Sequence, residues 1–450
     1  MKTRTVLLIN FMLLSLVFFN SCEEDALAPI STSEAEAQAE LATYFTLAGN
    51  TVRTLDLDDQ EDEIRAMAIG GLSPTISGIE TVDYKGAIPP QGIPWYDGWS
   101  FYDAVRKGEM QSKPLPELPV EVVDDNAGNG TGTTTWTNDK IWVLDGIVFV
   151  NRGDVLTIEP GTIIQGRNAP NGGTSGLVVA RGAKIMAEGT AEAPIIFTFE
   201  GDTGNTSPEV RGKWGGLVLL GDASLNNDLG INSAEGLSPA DGRAYFGGFN
   251  DADNSGILRY VSIRHGGAET GIRNSDINGL TLGAVGSGTT LDNIEVVGSL
   301  DDGIEWFGGT VNGKHLISAF SGDDGIDSDL GYRGVNQFVI IYQSGDMGAE
   351  HDGGDSPVNG LPFAKPVFYN VTSIGIGSTQ AITFRDNTGG EYHNSLFINY
   401  AKGADIELVQ TSDFHSYRQF VEDNLKVENN GFFNIEAGDL PGDVLKVNFK

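Results

Sequence analysis

One spacing constrains this chain more than any other. Asn278-Gly279-Leu280-Thr281, Asp302-Gly303-Ile304-Glu305, Asp324-Gly325-Ile326-Asp327, Met347-Gly348-Ala349-Glu350, Gln380-Ala381-Ile382-Thr383 and Lys402-Gly403-Ala404-Asp405 share one pattern, a small residue followed by an apolar one, at steps of 24, 22, 23, 33 and 22 residues. A period in the low twenties is one turn of a three-sheeted parallel solenoid, and the long step is a turn that carries an insertion. Leucine-rich repeats share the period, but their Leu-x-x-Leu-x-Leu and Asn signature is missing. Short apolar runs such as Ile147 to Val150, Leu177 to Val179, Leu217 to Leu220 and Tyr260 to Ile263, separated by Gly, Asn and Asp, fit the same reading. So do 61 glycines against 17 prolines without a three-residue period. The expected fold is all-β, a right-handed parallel β-helix over residues 136–450.

Strand alternation then assigns faces. Leu280, Ile304, Ile326, Ala349, Ile382 and Ala404 form the uniformly apolar column and point inward, so Thr281, Glu305, Asp327, Glu350, Thr383 and Asp405 point outward. Phe307, Asp329 and Asp352 lie two residues further along that face, and the preceding turns add Asp301, Asp302, Asp323, Asp324 and Asp346. Stacked coils repeat at about 4.8 Å, and like charges directly opposed on neighbouring strands are unfavourable. Such a ladder implies a bound cation, raised pKa values or generous solvation. Three readings are open: a Ca²⁺ site built from these oxygens, a catalytic carboxylate pair for glycoside hydrolysis, or a solvated acidic face. For catalysis the candidates are Glu305, Asp327, Arg333 and His351, with Lys314 as a further base. By parity His351 points inward, which favours a core histidine, and His265 and His315 sit in strand-like runs. Ser321-Gly322-Asp323-Asp324-Gly325 resembles the Gly-x-Asp-Asp element of polygalacturonases, whose Gly-His-Gly and Arg-Ile-Lys elements are absent here. Asp251 and Asp253, ahead of Gly256, make a weaker second cation candidate with no closing Glu.

The chain opens with Lys2 and Arg4, an apolar run from Val6 to Phe19, and Asn20-Ser21-Cys22. This reads as a signal peptide over residues 1–21. Cys22 is the lone cysteine, so an intrachain disulfide is impossible and acylation of Cys22 is the economical reading. The segment resembles a bacterial lipobox, and Glu23-Glu24-Asp25 is similar to the export signal of surface-exposed lipoproteins in Bacteroidota. Residues 22–80 read as a tether with short helices. Ser31 and Glu34 have capping-box spacing, and Leu41, Tyr44, Phe45 and Ala48 share a helical face. Residues 81–135 read as an aromatic cap segment and linker; Trp95, Tyr96, Trp99, Phe101 and Tyr102 either cap an open end or stack on sugar. With 28 basic and 62 acidic residues the net charge is −34, which excludes nucleic acid as a partner.

Trp142 to Gly146, Leu156 to Thr162, Val179 to Ala183, Ala187 to Thr190, Pro194 to Thr198, Leu258 to Val261, Gly279 to Leu282, Asp301 to Val311 and Asp323 to Asp327, in this order, are similar to β-helix lipoproteins of Bacteroidota. The resemblance covers roughly residues 136–400 and implies architecture and an outer-membrane address. The family has no settled reaction, and some members are labelled transporters, which fits poorly with a chain that has no membrane-spanning segment after its signal. One element departs from the pattern: Val82 to Ala87 with Trp95 to Trp99 resembles a segment expected after the helix and here precedes it.

The expected function is therefore a non-catalytic, surface-exposed outer-membrane lipoprotein, binding a glycan or an envelope protein such as a TonB-dependent receptor through a calcium-associated face. A polysaccharide lyase or glycoside hydrolase acting on acidic polysaccharide is the alternative, and a structural spacer a third.

Overall fold

The structure is a computed structural model, describing residues 32–450 except 55–59, 75, 111–113, 168–172, 272–275, 355 and 378. The signal segment and Cys22 lie outside the described residues. Among those residues no helix is long and apolar enough to cross a membrane.

The body is a parallel β-helix. One wall, face 1, is a ten-stranded sheet running in chain order from Ile147–Val150 to Leu445–Phe449. The other two walls belong to one folded sheet of seventeen strands. Long strands such as Asn312–Ala319 and Val335–Tyr342 begin in face 2, turn a corner and end in face 3. The corner is one residue wide. Tyr260, Asn293, His315, Phe338, Asn370, Asn394 and Asn429 stack there with φ between 48 and 58°. Asparagine tolerates this left-handed conformation because its short amide bonds locally, which accounts for four of the seven. The earlier coils turn through longer corners, one of them between Val155–Ile158 and Ile163–Gly166 with Gly161 at φ 79°.

Coils start sooner than residue 136. Val120–Val123 already pairs in parallel with Ile141–Leu144, and Thr134–Trp136 with the strand at Leu156–Ile158, so part of the expected linker is the first coil. The long repeat step is an insertion between Asp352 and Val367. A larger one, between Leu220 and Gly256, carries a short antiparallel pair, Asn232–Ser233 with Tyr245–Phe246.

Neither N-terminal segment takes its expected role. Helix Glu34–Leu47, capped by Ser33 and Glu36, buries Ala37, Leu41 and Phe45. It sits on the last coil: Gln38 donates to Leu445 O (2.9 Å) and accepts from Val447 N (3.1 Å), and the Phe45 and Phe432 rings lie 5.7 Å apart. Thr51–Arg53 then adds a strand beside Gly431–Phe433. This part of the tether therefore closes the C-terminal end of the solenoid, covering its open edge. The aromatic segment does not cover an end. Ala87, Ile88, Tyr96, Phe101 and Tyr102 lie along the outside of face 3, against Ile317, Ile340, Tyr342, Ile374, Leu396, Ile398 and Phe433. Corner amides tie its approach down: Asn394 exchanges two hydrogen bonds with Leu72 (3.0 and 2.8 Å), and Asn370 donates to Tyr84 O (2.9 Å).

Candidate functional site: a carboxylate ladder on face 1

The register of face 1 stacks Thr281, Glu305, Asp327, Glu350, Thr383 and Asp405, the outward column read from the repeat. Inside run Leu280, Ile304, Ile326, Ala349, Ile382 and Ala404, all buried. The turn preceding each strand is held from coil to coil: Asn278 Oδ1 accepts Asp302 N–H (3.2 Å), Asp302 Oδ1 accepts Asp324 N–H (2.9 Å), and Asp324 Oδ1 accepts Met347 N–H (2.7 Å). One oxygen of each turn aspartate is thus occupied by backbone. Asn278 also donates to Glu305 Oε2.

The result is a connected chain of acids. Asp301, Asp302 and Asp323 bring one carboxylate oxygen each within 4.8 Å of one another; so do Asp302, Glu305 and Asp327, then Asp323, Asp324 and Asp346, then Asp324, Asp327 and Glu350. Asp302, Glu305, Asp324 and Glu350 are buried, Asp301 and Asp327 half-buried, Asp323 and Asp346 exposed. Burial, reinforced by neighbouring carboxylates, pushes Asp301 and Glu350 up to about 7 and Asp324 to about 8. Asp302, Glu305 and Asp327 rise well above the usual range for the same reasons, and Asp323, exposed at its outer side, rises through partial desolvation and the charge of Asp346. Without a counter-ion the ladder holds protons near neutral pH.

Asp352 and Asp329 stand slightly apart. Asp352 pairs with Arg385 (Nε to Oδ1 2.5 Å), and Arg385 also reaches Glu350 Oε2 at 2.7 Å. Asp329 lines a cavity of about 680 Å³ with Phe307 as its neighbour on face 1, walled by Asn227, Asp228, Asn232, Ser233 and Glu235 of the large insertion. Glu235 also raises the pKa of Asp301 and Glu305. Phe307 and Asp329 lie two residues along their strands from Glu305 and Asp327, so the cavity adjoins the ladder and widens it into an acidic cleft on face 1.

Other predicted residues go elsewhere. His351 is fully buried in the core, with Nδ1 2.7 Å from Ser328 Oγ and Nε2 2.7 Å from Tyr392 OH; burial lowers its pKa to about 3. Arg333 reaches Asp251 Oδ2 (3.0 Å) and Ser224 Oγ (2.9 Å), away from the ladder. Lys314 is on face 2, paired with Glu80 at 2.7 Å. His315 is a corner residue 2.8 Å from Asp292, and buried His265 lies 2.7 Å from Val210 O. Asp251 also accepts from Ser224 N (3.0 Å), and Asp253 contacts Ser255 Oγ (3.2 Å), so the two carboxylates serve separate partners.

Two members of the cleft escaped the sequence reading. Arg385 was accessible by extending the outward column two residues, through Asp329 and Asp352. Glu235 was not, because an insertion carries no register.

A parallel β-helix with an acidic cleft on one wall defines the class, and the chain belongs to the pectate-lyase-like β-helix domain family, matched over residues 128–442. No curated protein matches the chain. Among solved structures, the Streptococcus pneumoniae surface protein and adhesin PfbA aligns at 11% identity over 72% of this chain and 93% of its own, with a TM-score of 0.18. A likeness that loose carries no weight below.

Proposed function

We propose that face 1 binds a divalent cation, Ca²⁺ first among them, and that the loaded cleft holds an acidic polysaccharide without cleaving it. The observation that carries this reading is the chain of four overlapping carboxylate triads. The donor set is all oxygen, in irregular arrangement and large in number, which suits Ca²⁺ better than zinc or other borderline-soft metals. Glu350, a member of the last triad, carries a buried Oε1 with no hydrogen-bond partner among the described residues, an orphan acceptor that a cation would satisfy. Asp301, Asp302, Glu305, Asp323, Asp324, Asp327, Asp346 and Glu350 are the candidate ligands. A bound cation would offset the repulsion and supply coordination for the carboxylates of a uronic-acid polymer, while Phe307 and the amides of Asn227 and Asn232 line the adjoining cavity.

Family kinship favours a second reading, a lyase or hydrolase acting on such polymers. Elimination needs a base beside the substrate, and Arg385 is a poor one: its two carboxylate partners hold its proton firmly. The remaining part of the proposal is address. Acylation of Cys22 would anchor the protein in the outer membrane facing outward, where a TonB-dependent receptor or another envelope protein is a fitting partner.

The test is thermal unfolding in EDTA, then in millimolar Ca²⁺, with Mg²⁺ as control, followed by retention and turnover assays on polygalacturonate and alginate. A Ca²⁺-specific rise that disappears in Glu305→Gln/Asp327→Asn, with retention and no turnover, is expected. No rise refutes the cation site; turnover abolished by Asp327→Asn in a folded protein moves the assignment to the enzyme. Palmitate labelling lost in Cys22→Ser tests the anchor.

A further inference from the structure

A second cavity, of about 450 Å³, lies on the other side of the molecule between the aromatic segment and the early coils. That volume is in the range of small-molecule sites, roughly 300–1,000 Å³. Its lining is mostly apolar: Trp99, Phe101, Leu115, Pro194, Ile163 and Ile196 supply most of the wall. Among the described residues two charged side chains line it, Glu192, which is exposed, and Arg264, which is only 6% exposed.

Arg264 is unusually placed. Its guanidinium lies over the Phe101 ring, 4.5 Å from the centroid, and Nε donates to Ser262 Oγ at 2.7 Å. Among the described residues neither Nη atom has a hydrogen-bond acceptor. The two nearby carboxylates are already engaged. Glu295 forms a long ion pair with Arg264 (Oε1 to Nη2 4.0 Å) but no hydrogen bond to it, its oxygens accepting the N–H groups of Phe101 (2.7 Å) and Tyr102 (3.0 Å). Asp202 accepts from Thr198 Oγ1 (2.7 Å), Thr206 Oγ1 (2.6 Å) and Gly204 N (2.9 Å). A buried guanidinium whose fork is unfilled is matched geometrically by a carboxylate, which takes two parallel N–H donors.

We infer that this cavity binds a compact apolar monocarboxylate, its acid on Arg264 and its body against Trp99 and the proline-rich wall. A sugar acid fits the lining poorly, because its hydroxyls would find few partners. Ser100 Oγ already donates to Tyr96 O (3.0 Å) and accepts Asp103 N–H (3.0 Å), and Trp99 Nε1 donates to Trp95 O (3.0 Å). The site is independent of the ladder and of any cation there.

The experiment is calorimetric titration of the full chain with 3-phenylpropionate in EDTA, so that no cation bridges the acid to face 1. Saturable one-site binding is expected, with the uncharged isostere 3-phenylpropanamide at least about tenfold weaker. Arg264→Lys, which keeps charge and loses the fork, weakens binding about tenfold. Ala193→Phe fills the cavity from its half-exposed wall, leaves the guanidinium in place and abolishes binding. Circular dichroism and unfolding confirm that each variant folds; if Arg264→Lys does not, the amide and Ala193→Phe carry the test. No saturable binding of the acid, equal affinity for the amide, or unchanged binding in Ala193→Phe overturns the assignment.

Discussion

Faces 1 and 3 are walls of the same solenoid, and their outward columns are treated in opposite ways. On face 3 the column Glu295, Ile317, Ile340, Thr372 and Leu396 is mostly apolar, and residues from Ala87 to Tyr102 cover it. On face 1 the corresponding positions are Glu305, Asp327 and Glu350, and among the described residues no aromatic segment lies over them. A parallel β-helix stacks like on like at about 4.8 Å whatever the side chain. Stacked apolar groups gain by being covered; stacked acids need protons, solvent or a cation. The early coils of face 1 are covered too, Phe149, Val178 and Val218 by Ala234, Leu237 and Phe246 of the large insertion, so the chain itself completes every apolar stretch and leaves the acidic stretch for something added.

The sharpest way to break this contrast is to truncate the cover. Phe101→Ala should cost about 3–5 kcal/mol, read by denaturant unfolding, because the ring is buried against face 3 and stacked on Arg264. A loss under 1 kcal/mol would mean that the cover is peripheral. Next comes Ca²⁺, worth roughly 2.7 kcal/mol at a hundredfold excess over its dissociation constant. It should stabilise the parent and the Phe101→Ala protein equally, since the two walls are separate. Asn394→Ala should cost about 1–3 kcal/mol, as it removes two bonds to Leu72 from a corner with φ 51°.

The pH dependence separates the walls further. Asp301, Glu350 and Asp324 have folded pKa values of about 7, 7 and 8 against ordinary values of 3.8, 4.5 and 3.8. Between those limits these three groups bind more protons in the native state than in the unfolded chain, so their contribution to metal-free stability is fullest below pH of about 4 and declines as pH rises towards about 8. Ca²⁺ should flatten that decline, and unfolding transitions across the window in EDTA and Ca²⁺ check it. The smallest effect is Glu305→Gln in EDTA, which should leave stability nearly unchanged, because the amide replaces a carboxyl that burial and its acidic neighbours already push towards the neutral form. A loss above 1 kcal/mol would show that the carboxylate is needed for folding rather than tolerated.

The column order on face 1 was legible because its small-apolar marker fixes register and register fixes faces. His351 was readable as a core residue by the same parity. The roles of the two N-terminal segments were not. An apolar stripe such as Leu41 and Phe45 says that a helix docks, not where, and the aromatic cluster is equally silent about its target. A sign of the covered wall did exist: Phe338 to Tyr342 is apolar at every position, as expected of a strand buried on both sides. The raised pKa values depend on burial in three dimensions, which spacing alone does not give.

The closure by helix Glu34–Leu47 has a bearing on how the chain matures. Residues made early complete a coil made much later, with Gln38 bonded to Leu445 and Val447 some 400 positions away. Coils can stack on one another as they emerge, but the edge of the strand Leu445–Phe449 and the apolar stripe of the helix stay unprotected until both are present. A chain cut short before Leu445 would expose two adhesive surfaces at once, so aggregation of truncated products, more than loss of any single contact, is where selection on this junction would act.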